Sequence, residues 1–208
     1  APPPASFYAT RNRRALTDRL GLAPDALPGG GNWFPEEDTL LTLLDVVEGR
    51  DDCHVLVCGA GLSVAVLAHA LAGRGTVTAL ESDQRALAMT RAMLGSIGAT
   101  AHLIHAELTE YDKHNLWYAR SVLDGLPERI DVIFVDGPGH FAGRMPRWPA
   151  GPELFHRLGP DPVVVLDDAK RVKERKAMQR WSEAYPWLVD QNIKKTGGAA
   201  VLRPAGRD

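Results

Sequence analysis

Three aspartates follow two runs of apolar, β-branched residues that are typical of buried strands. Asp136 follows the run Ile130–Val135, and Asp167 and Asp168 follow the run Pro162–Leu166. Neighbouring strands lie about 4.8 Å apart, so these three carboxylates should converge. Converging carboxylates bind a cation, share a proton or accept hydrogen bonds from amides. The pattern predicts a site for Mg²⁺ or another divalent cation at Asp136, Asp167 and Asp168, or, as the alternative, an aspartate that caps the next helix.

A glycine turn follows an earlier apolar run. His54–Cys58 is followed by Gly59, Ala60 and Gly61, and Ser63 opens the helical pattern beyond them. Glycines at such a turn let a ligand approach the backbone closely, and the next helix offers free amides. A Gly-x-Gly alone also fits a turn that binds nothing. Between a strand and a helix, it predicts that Gly59, Ala60, Gly61 and Ser63 contact a cofactor.

An acid at the end of the next predicted strand indicates the kind of cofactor. Glu81 lies twenty residues after Gly61 and is followed by Ser82. A carboxylate there can accept both hydrogen bonds of a ribose diol, so Glu81 and Ser82 predict a cofactor that contains a nucleoside. A nicotinamide fingerprint needs a small residue where this chain has Val64, and that mismatch disfavours a nicotinamide cofactor.

His140 is the candidate general base. It lies four residues after Asp136, and an imidazole titrates near neutral pH. An exposed loop histidine is the alternative. His140 belongs to a long connection, residues 137–160, that is rich in glycine and proline and is interpreted as a lid on the substrate side. Arg144 and Arg147 in this connection could grip an anionic or hydroxylated substrate, or could be solvated.

The elements that must position these residues alternate between apolar runs and helical patterns. The predicted parallel strands are His54–Cys58, Thr76–Leu80, Ala101–His105, Ile130–Val135 and Pro162–Leu166. Near-continuous apolar runs separated by helices are typical of a parallel sheet covered on both faces. Val189–Ile193 and Ala199–Leu202 predict a closing antiparallel hairpin. We therefore predict an α/β fold with a doubly wound, mostly parallel Rossmann-like sheet.

The segment Gly59–Ser63, together with Glu81, resembles class I S-adenosylmethionine-dependent methyltransferases, and the resemblance covers residues 34–204. It implies about seven strands in the order 3-2-1-4-5-7-6, with S-adenosylmethionine as the cofactor. It also implies that Glu107, after the third strand, contacts the adenine amine. The chain departs from the family at Val57-Cys58, where an acid usually precedes the glycines.

The strand-end aspartates are similar to those of catechol-type O-methyltransferases, in which an aspartate and an Asp-Asn pair hold a divalent metal. This chain has the pair Asp167-Asp168 instead, and it lacks that group's lysine shortly after the first aspartate. The resemblance implies methyl transfer to a small-molecule acceptor, with a hydroxyl as the expected group. Asp136 and His140 are the expected catalytic residues, and Asp136 is also expected to contact the cofactor. Assistance by a divalent metal is a hypothesis.

Two other functions stay open. One is a nicotinamide-dependent Rossmann oxidoreductase, which Val64 and the strand-end acids disfavour. The other is a non-catalytic partner protein that binds S-adenosylmethionine, which the missing acid before Gly59 suggests. An oxidoreductase should bind NADH and not S-adenosylhomocysteine, whereas a methyltransferase should do the reverse. A non-catalytic partner protein should bind S-adenosylmethionine but transfer no methyl group to any acceptor.

Composition limits the remaining classes. The 208 residues, 45% of them hydrophobic, fit an arm over residues 1–32 and one cofactor-binding domain over residues 33–208. The 24 basic and 26 acidic residues exclude a charge-driven nucleic-acid binder, so nucleic acid is not the expected partner. The basic runs 11–14 and 170–176 read first as solvated faces and only second as an RNA patch. The oligomeric state is open, with a homodimer as one option.

The stretch from Cys53 to Gly73 carries no charged residue over 21 positions, which is long enough to span a bilayer. The central Gly59-Ala60-Gly61 and the lack of aromatic anchors favour strand, turn and helix instead. The first residues show no signal-peptide pattern, so we expect a soluble, cytoplasmic protein without a membrane partner. Two cysteines, Cys53 and Cys58, are too few for a disulfide-stapled scaffold.

Overall fold

A computed structural model of the chain describes residues 5–28, 37–191 and 198–206. Its helices are α1 Ala5–Leu20, α2 Glu37–Val47, α3 Leu62–Ala70, α4 Gln84–Ser96, α5 Arg120–Leu123, α6 Ala150–Leu154 and α7 Val172–Ala184. Its strands are β1 Cys53–Cys58, β2 Gly75–Glu81, β3 His102–His105, β4 Leu108–Asp112, β5 Asn115–Tyr118, β6 Ile130–Val135, β7 Leu158–Leu166, β8 Leu188–Asp190 and β9 Ala200–Pro204.

Seven of the strands in the described ranges form one sheet in the order β3-β2-β1-β6-β7-β9-β8. The pairs from β3 to β7 are parallel, and β9 is antiparallel to both β7 and β8. Once the separate β4–β5 pair is set aside, this is the predicted order 3-2-1-4-5-7-6 with its closing antiparallel hairpin. The predicted fold class is confirmed.

The strands β4 and β5 form a small antiparallel hairpin that the sequence analysis did not predict. The segment Leu108–Tyr118 mixes polar and apolar residues and lacks the continuous apolar run that marks the other strands. Two boundaries also differ, because β7 begins at Leu158 rather than Pro162 and β8 is Leu188–Asp190. The end of the predicted strand Val189–Ile193 and the following connection fall on residues 192–197, outside the described residues.

The sheet divides the apolar core into two layers. Val55 and Val57 of β1 pack into the layer that contains α1 to α4, whereas Leu56 and Cys58 pack into the opposite layer. Both faces of β1 are therefore covered, as a central parallel strand requires. This burial explains why the stretch 53–73 carries no charge. Among the described residues, no helix is long and apolar enough to cross a membrane.

The N-terminal arm contains a longer helix than the sequence suggested. The pattern indicated a short basic helix over about 10–20, and α1 runs from Ala5 to Leu20. Leu16 and Leu20 are buried against α2 and α3, so this helix covers part of the first core layer. The predicted glycine hinge at 29–31 and the predicted helix start at Pro35 lie outside the described residues.

The connection 137–160 is packed against the body rather than arranged as an open lid. It contains short 3-10 turns at His140–Ala142 and Phe155–Arg157 and the helix α6. Leu154 and Phe155 are buried in the second core layer, and the ring of Phe155 packs against Trp181 of α7 with its centroid 5.2 Å away. The buried second part of the connection does not fit the interpretation of the whole connection as a lid. Exposed side chains lie at His140, Phe141 and Arg144 in its first part and at Pro152 and His156 in its second part.

Candidate active site

The glycine turn and a strand-end aspartate adjoin at the carboxyl edge of the sheet. Gly59 has a φ of 112°, a conformation that favours glycine, and its N–H donates to the carbonyl of Leu80 at 2.8 Å. A Cβ at Gly59 would lie 3.4 Å from the nitrogen of Gly137 and 3.6 Å from Cβ of Asp136. The ends of β1 and β6 therefore approach each other closely enough for one ligand to contact both.

The N-terminus of α3 presents unused hydrogen-bonding groups. Gly61 precedes the helix with a φ of 122°, and no side chain of the described residues caps its first turn. Ser63, in that turn, is 1% exposed, and its hydroxyl has no hydrogen-bond partner in the part of the chain that the structure describes. Buried polar groups are almost always paired, so this hydroxyl and the free amides mark a place for a polar ligand group.

Glu81 ends β2 beside the glycine turn, and its carboxylate is oriented by local bonds. Oε1 accepts hydrogen bonds from the backbone N–H of Asp83 at 2.8 Å and from the hydroxyl of Ser82 at 3.3 Å. Oε2 has no partner within the described ranges. The fixed carboxylate with one open oxygen fits the predicted contact with a ribose diol, whereas Ser82 supports Glu81 through its hydroxyl.

Glu107 lies at the same edge, after β3. Its side chain is exposed, and the carbonyl of Glu107 accepts from the N–H of Ala119 at 2.9 Å. The preceding Ala106 donates its N–H to the carbonyl of Glu81 at 2.8 Å. The residues predicted to bind the cofactor, at the ends of β1, β2 and β3, thus lie along three adjacent strands.

Asp136, Asp167 and Asp168, hereafter the acid cluster, come together as the strand spacing predicted. One carboxylate oxygen from each lies within 4.8 Å of the others. Asp168 takes a positive φ of 55°, which is uncommon for a residue other than glycine. The alternative that one of these aspartates caps the following helix is wrong, because Arg171 is the residue that precedes α7 and no side chain in the described residues caps it.

The guanidinium of Arg147 lies within the acid cluster. Nη2 donates to the backbone carbonyl of Asp136, to its Oδ1 at 3.2 Å, and to Oδ2 of Asp168 at 3.3 Å. Nη1 donates to the backbone carbonyl of Asp167 at 2.7 Å. Only 5% of the Arg147 side chain is exposed, so it cannot grip a substrate in solvent. That suggestion for Arg147 is wrong, whereas the exposed Arg144 remains open to it.

Burial and crowding of negative charge change the protonation of the acid cluster. Desolvation raises the pKa of Asp136 to about 7, Arg147 opposes this effect, and Asp167 and Asp168 add to it. Burial also raises the pKa of Asp167, with Asp168 as the next cause. The side chains of Asp136 and Asp167 also interact with each other, and this interaction adds to the rise in the pKa of Asp136.

The turn that carries His140 is held by α7. The ammonium group of Lys173 donates hydrogen bonds to the backbone carbonyls of His140, at 2.9 Å, and of Gly143, at 2.6 Å. The His140 side chain is exposed, and Phe141 beside it is 70% exposed. His140 therefore lies at the rim of the site, and Asp136 lies inside it.

The acid cluster was predicted to hold a divalent cation, and the number and type of its carboxylates suit one. The arrangement of Arg147 argues against this prediction, because its Nη2 places a positive charge against one carboxylate oxygen of Asp136 and one of Asp168. Oδ2 of Asp168 accepts in addition from Arg171 at 2.8 Å. A resident divalent ion does not fit the cluster while the guanidinium lies there.

The described structure shows what sequence reasoning missed. The sequence predicts Arg147 as a substrate contact or a solvated side chain, and it does not single out Glu174, which is buried 4.0 Å from Nε of Arg147. The three strand-end aspartates were the available indication of a buried cation, since buried carboxylates need a positive partner. The sequence offered many basic residues and no means to choose among them.

No protein-family model matches the sequence, and no curated protein matches it. Solved structures do resemble it. The precorrin-6y C5,15-methyltransferase from Geobacter metallireducens is 20% identical with a TM-score of 0.60, over 80% of this chain and 79% of that one. An O-methyltransferase from Bacillus cereus in complex with SAH is 15% identical with a TM-score of 0.60, over 93% and 90%.

A third similar structure is a 16S rRNA methyltransferase from T. thermophilus in complex with AdoMet and guanosine. It is 19% identical with a TM-score of 0.56, and the match covers 86% of this chain and 46% of that one. Together these similarities show that the chain has the fold of class I S-adenosylmethionine-dependent methyltransferases. The three proteins are named for different acceptors, so the fold leaves the acceptor open.

Proposed function

We propose that this protein transfers the methyl group of S-adenosylmethionine to a hydroxyl group of a small-molecule acceptor. The observation that carries the proposal is the contact between the glycine turn and the acid cluster, with Gly59 directly beside Asp136. A cofactor on the turn would present its reactive end to the acids. The acceptor and the carboxylates that receive its proton would then share one edge of the sheet.

The residues at the edge fit S-adenosylmethionine. Glu81 has a free carboxylate oxygen for the ribose diol, and the unpaired hydroxyl of Ser63 with the amides of α3 suits the carboxylate of the methionine part. Glu107 is exposed at the end of β3, where an adenine amine would find an acceptor. The acid that usually precedes the glycines is absent, so the backbone of the turn and Asp136 must contact the methionine ammonium.

The chemistry requires a base beside the methyl donor. When bound, S-adenosylmethionine supplies a methyl group on a positively charged sulfur; the acceptor oxygen bonds to its carbon, the carbon–sulfur bond breaks, and S-adenosylhomocysteine is left. The protein has to align the acceptor and accept the hydroxyl proton. Asp136 suits this role because its raised pKa of about 7 lets it both take and return a proton near neutral pH.

His140 is the second catalytic residue of the proposal. It lies four residues beyond Asp136 on the exposed turn, so it can receive the proton at the rim and pass it to solvent. Lys173 fixes the backbone of this turn through two carbonyls. Arg144, exposed on the same segment, can contact a polar group of the acceptor.

Transfer of labelled methyl groups tests the proposal. The protein is incubated with methyl-labelled S-adenosylmethionine and a panel of phenols, sugars, peptides and RNA. We expect label on a small hydroxyl compound, at least 100-fold less label with Asp136→Asn, and unchanged label with the exposed Asp124→Asn. Label on RNA alone would assign a different acceptor class. Binding of the cofactor without transfer to any acceptor would leave the non-catalytic partner protein as the better account.

A further inference from the structure

The guanidinium of Arg147 lies against the acid cluster and contacts a carboxylate oxygen of Asp136 and one of Asp168. We infer that Arg147 is the resident cation of the cluster, in place of a divalent metal, and that it positions Asp136 and Asp168 for the reaction. The part of this inference that concerns catalysis rests on the proposed function. The part that concerns the cation rests on the geometry alone.

The hydrogen bonds of Arg147 satisfy both carbonyls and carboxylates of the cluster. One nitrogen, Nη2, lies 3.2 Å from Oδ1 of Asp136 and 3.3 Å from Oδ2 of Asp168, so it bridges the ends of β6 and β7. Nη1 contacts the carbonyl of Asp167 at 2.7 Å. Arginine is suited to this task because it stays charged and its planar group bonds to several acceptors at once.

The fold builds a place for this side chain from two directions. The hairpin β4–β5 holds the backbone before it, because Oδ1 of Asn115 accepts from the N–H of Met145 at 2.8 Å. The helix α7 holds the backbone after it, because Nε1 of Trp181 donates to the carbonyl of Trp148 at 2.9 Å. The backbone is therefore anchored on both sides of Arg147, and this fixes the position from which its side chain enters the acid cluster.

The charges of the site account for the choice of an arginine. The acid cluster and the buried Glu174 together carry four carboxyl groups. Among the described residues, the buried basic side chain that contacts these groups is Arg147. Arg171 adds a second positive group on Oδ2 of Asp168 at 2.8 Å. A divalent ion would have to displace the guanidinium from two carboxylates or lie against its positive charge, and either arrangement disfavours the ion.

Titration with Mn²⁺ alone tests the inference without any methyl acceptor. Calorimetry and the electron paramagnetic resonance signal of free Mn²⁺ are measured for the wild type, Arg147→Ala, Arg147→Gln and Arg147→Lys. We expect no stoichiometric binding to the wild type or to Arg147→Lys, which keeps the charge. The two neutral variants open the cluster, so each should bind one Mn²⁺ at least 100-fold more tightly, and adding Asp168→Asn should abolish that gain.

The wild-type measurement decides the inference even if the neutral variants do not fold. Stoichiometric binding of Mn²⁺ to the wild type at micromolar concentration, lost in Asp168→Asn, would overturn it. Folded neutral variants that gain no affinity would also overturn it. Binding of S-adenosylhomocysteine is measured on the same samples and tests the proposed function separately. If that function holds, transfer by the wild type should be unchanged by chelator, and Arg147→Lys should lower kcat more than it raises KM.

Discussion

Replacing Asp136 with asparagine should change how the stability of the protein depends on pH. In the folded protein, burial and the neighbouring aspartates raise the pKa of this carboxyl from 3.8 to about 7. The folded state therefore binds the proton more tightly than the unfolded chain does. The stabilisation is complete below about pH 4 and is lost as the pH rises to about 7.

The size of this effect follows from the two pKa values of Asp136. Each pH unit between 3.8 and about 7 removes about 1.4 kcal/mol, so the loss is at most about 4 kcal/mol. The measured value should be smaller, since the titration of Asp136 is coupled to that of the neighbouring Asp167. In Asp136→Asn the amide oxygen can still accept from Arg147, and the titrating group is gone. The variant should therefore match the wild type near pH 4 and exceed its stability above pH 7.

Urea denaturation at pH values from 4 to 8 measures this difference. Titrating groups outside the acid cluster contribute equally to both proteins and cancel when the two free energies of unfolding are subtracted. Asp124→Asn, at an exposed carboxyl, is the control, and its difference from the wild type should not change with pH. A difference for Asp136→Asn that is independent of pH, or a variant that is less stable at pH 8, would refute the reasoning.

Three further substitutions test other parts of the structure. A Cβ at Gly143, where φ is 146°, would meet the carbonyl oxygen of His114 and lie 2.6 Å from Oδ1 of Asn115. Gly143→Ala should therefore lower the free energy of unfolding, measured by urea denaturation, by about 2–4 kcal/mol. At Gly95 in helix α4 a Cβ would meet no atom within 4 Å, so Gly95→Ala should raise the free energy of unfolding by up to about 1 kcal/mol. His140→Ala should lower kcat for methyl transfer about tenfold or more and leave the affinity for S-adenosylhomocysteine unchanged; unchanged turnover would remove His140 from the mechanism.

The parts of the fold that could be predicted from the sequence depend on local patterns. The runs that form β1, β6 and β7 are apolar on both faces, so their burial follows from composition alone. The carboxyl ends of parallel strands meet at one edge of a sheet, and this rule predicts that Gly59 and Asp136 lie close together.

The parts that could not be predicted depend on contacts between distant residues. Arg147 bonds to Asp168, which lies 21 residues away, and nothing in the pattern around Met145 to Trp148 indicates burial of a charge. The hairpin β4–β5 is stabilised partly by its contact with the segment around Gly143, which is itself distant in sequence. Only the folded chain shows that the hairpin, the segment and the acid cluster form one unit.

Binding of S-adenosylhomocysteine, measured by calorimetry, tests the proposed cofactor site most directly. The wild type should bind one molecule, and NADH should not bind. Glu81→Gln should weaken binding about 10- to 100-fold, because a hydrogen bond to a charged acceptor contributes about 1.5–3 kcal/mol. Glu110→Gln, on the exposed face of β4, should bind as the wild type does. Failure of the folded wild type to bind S-adenosylhomocysteine, or binding of NADH in its place, would contradict the account.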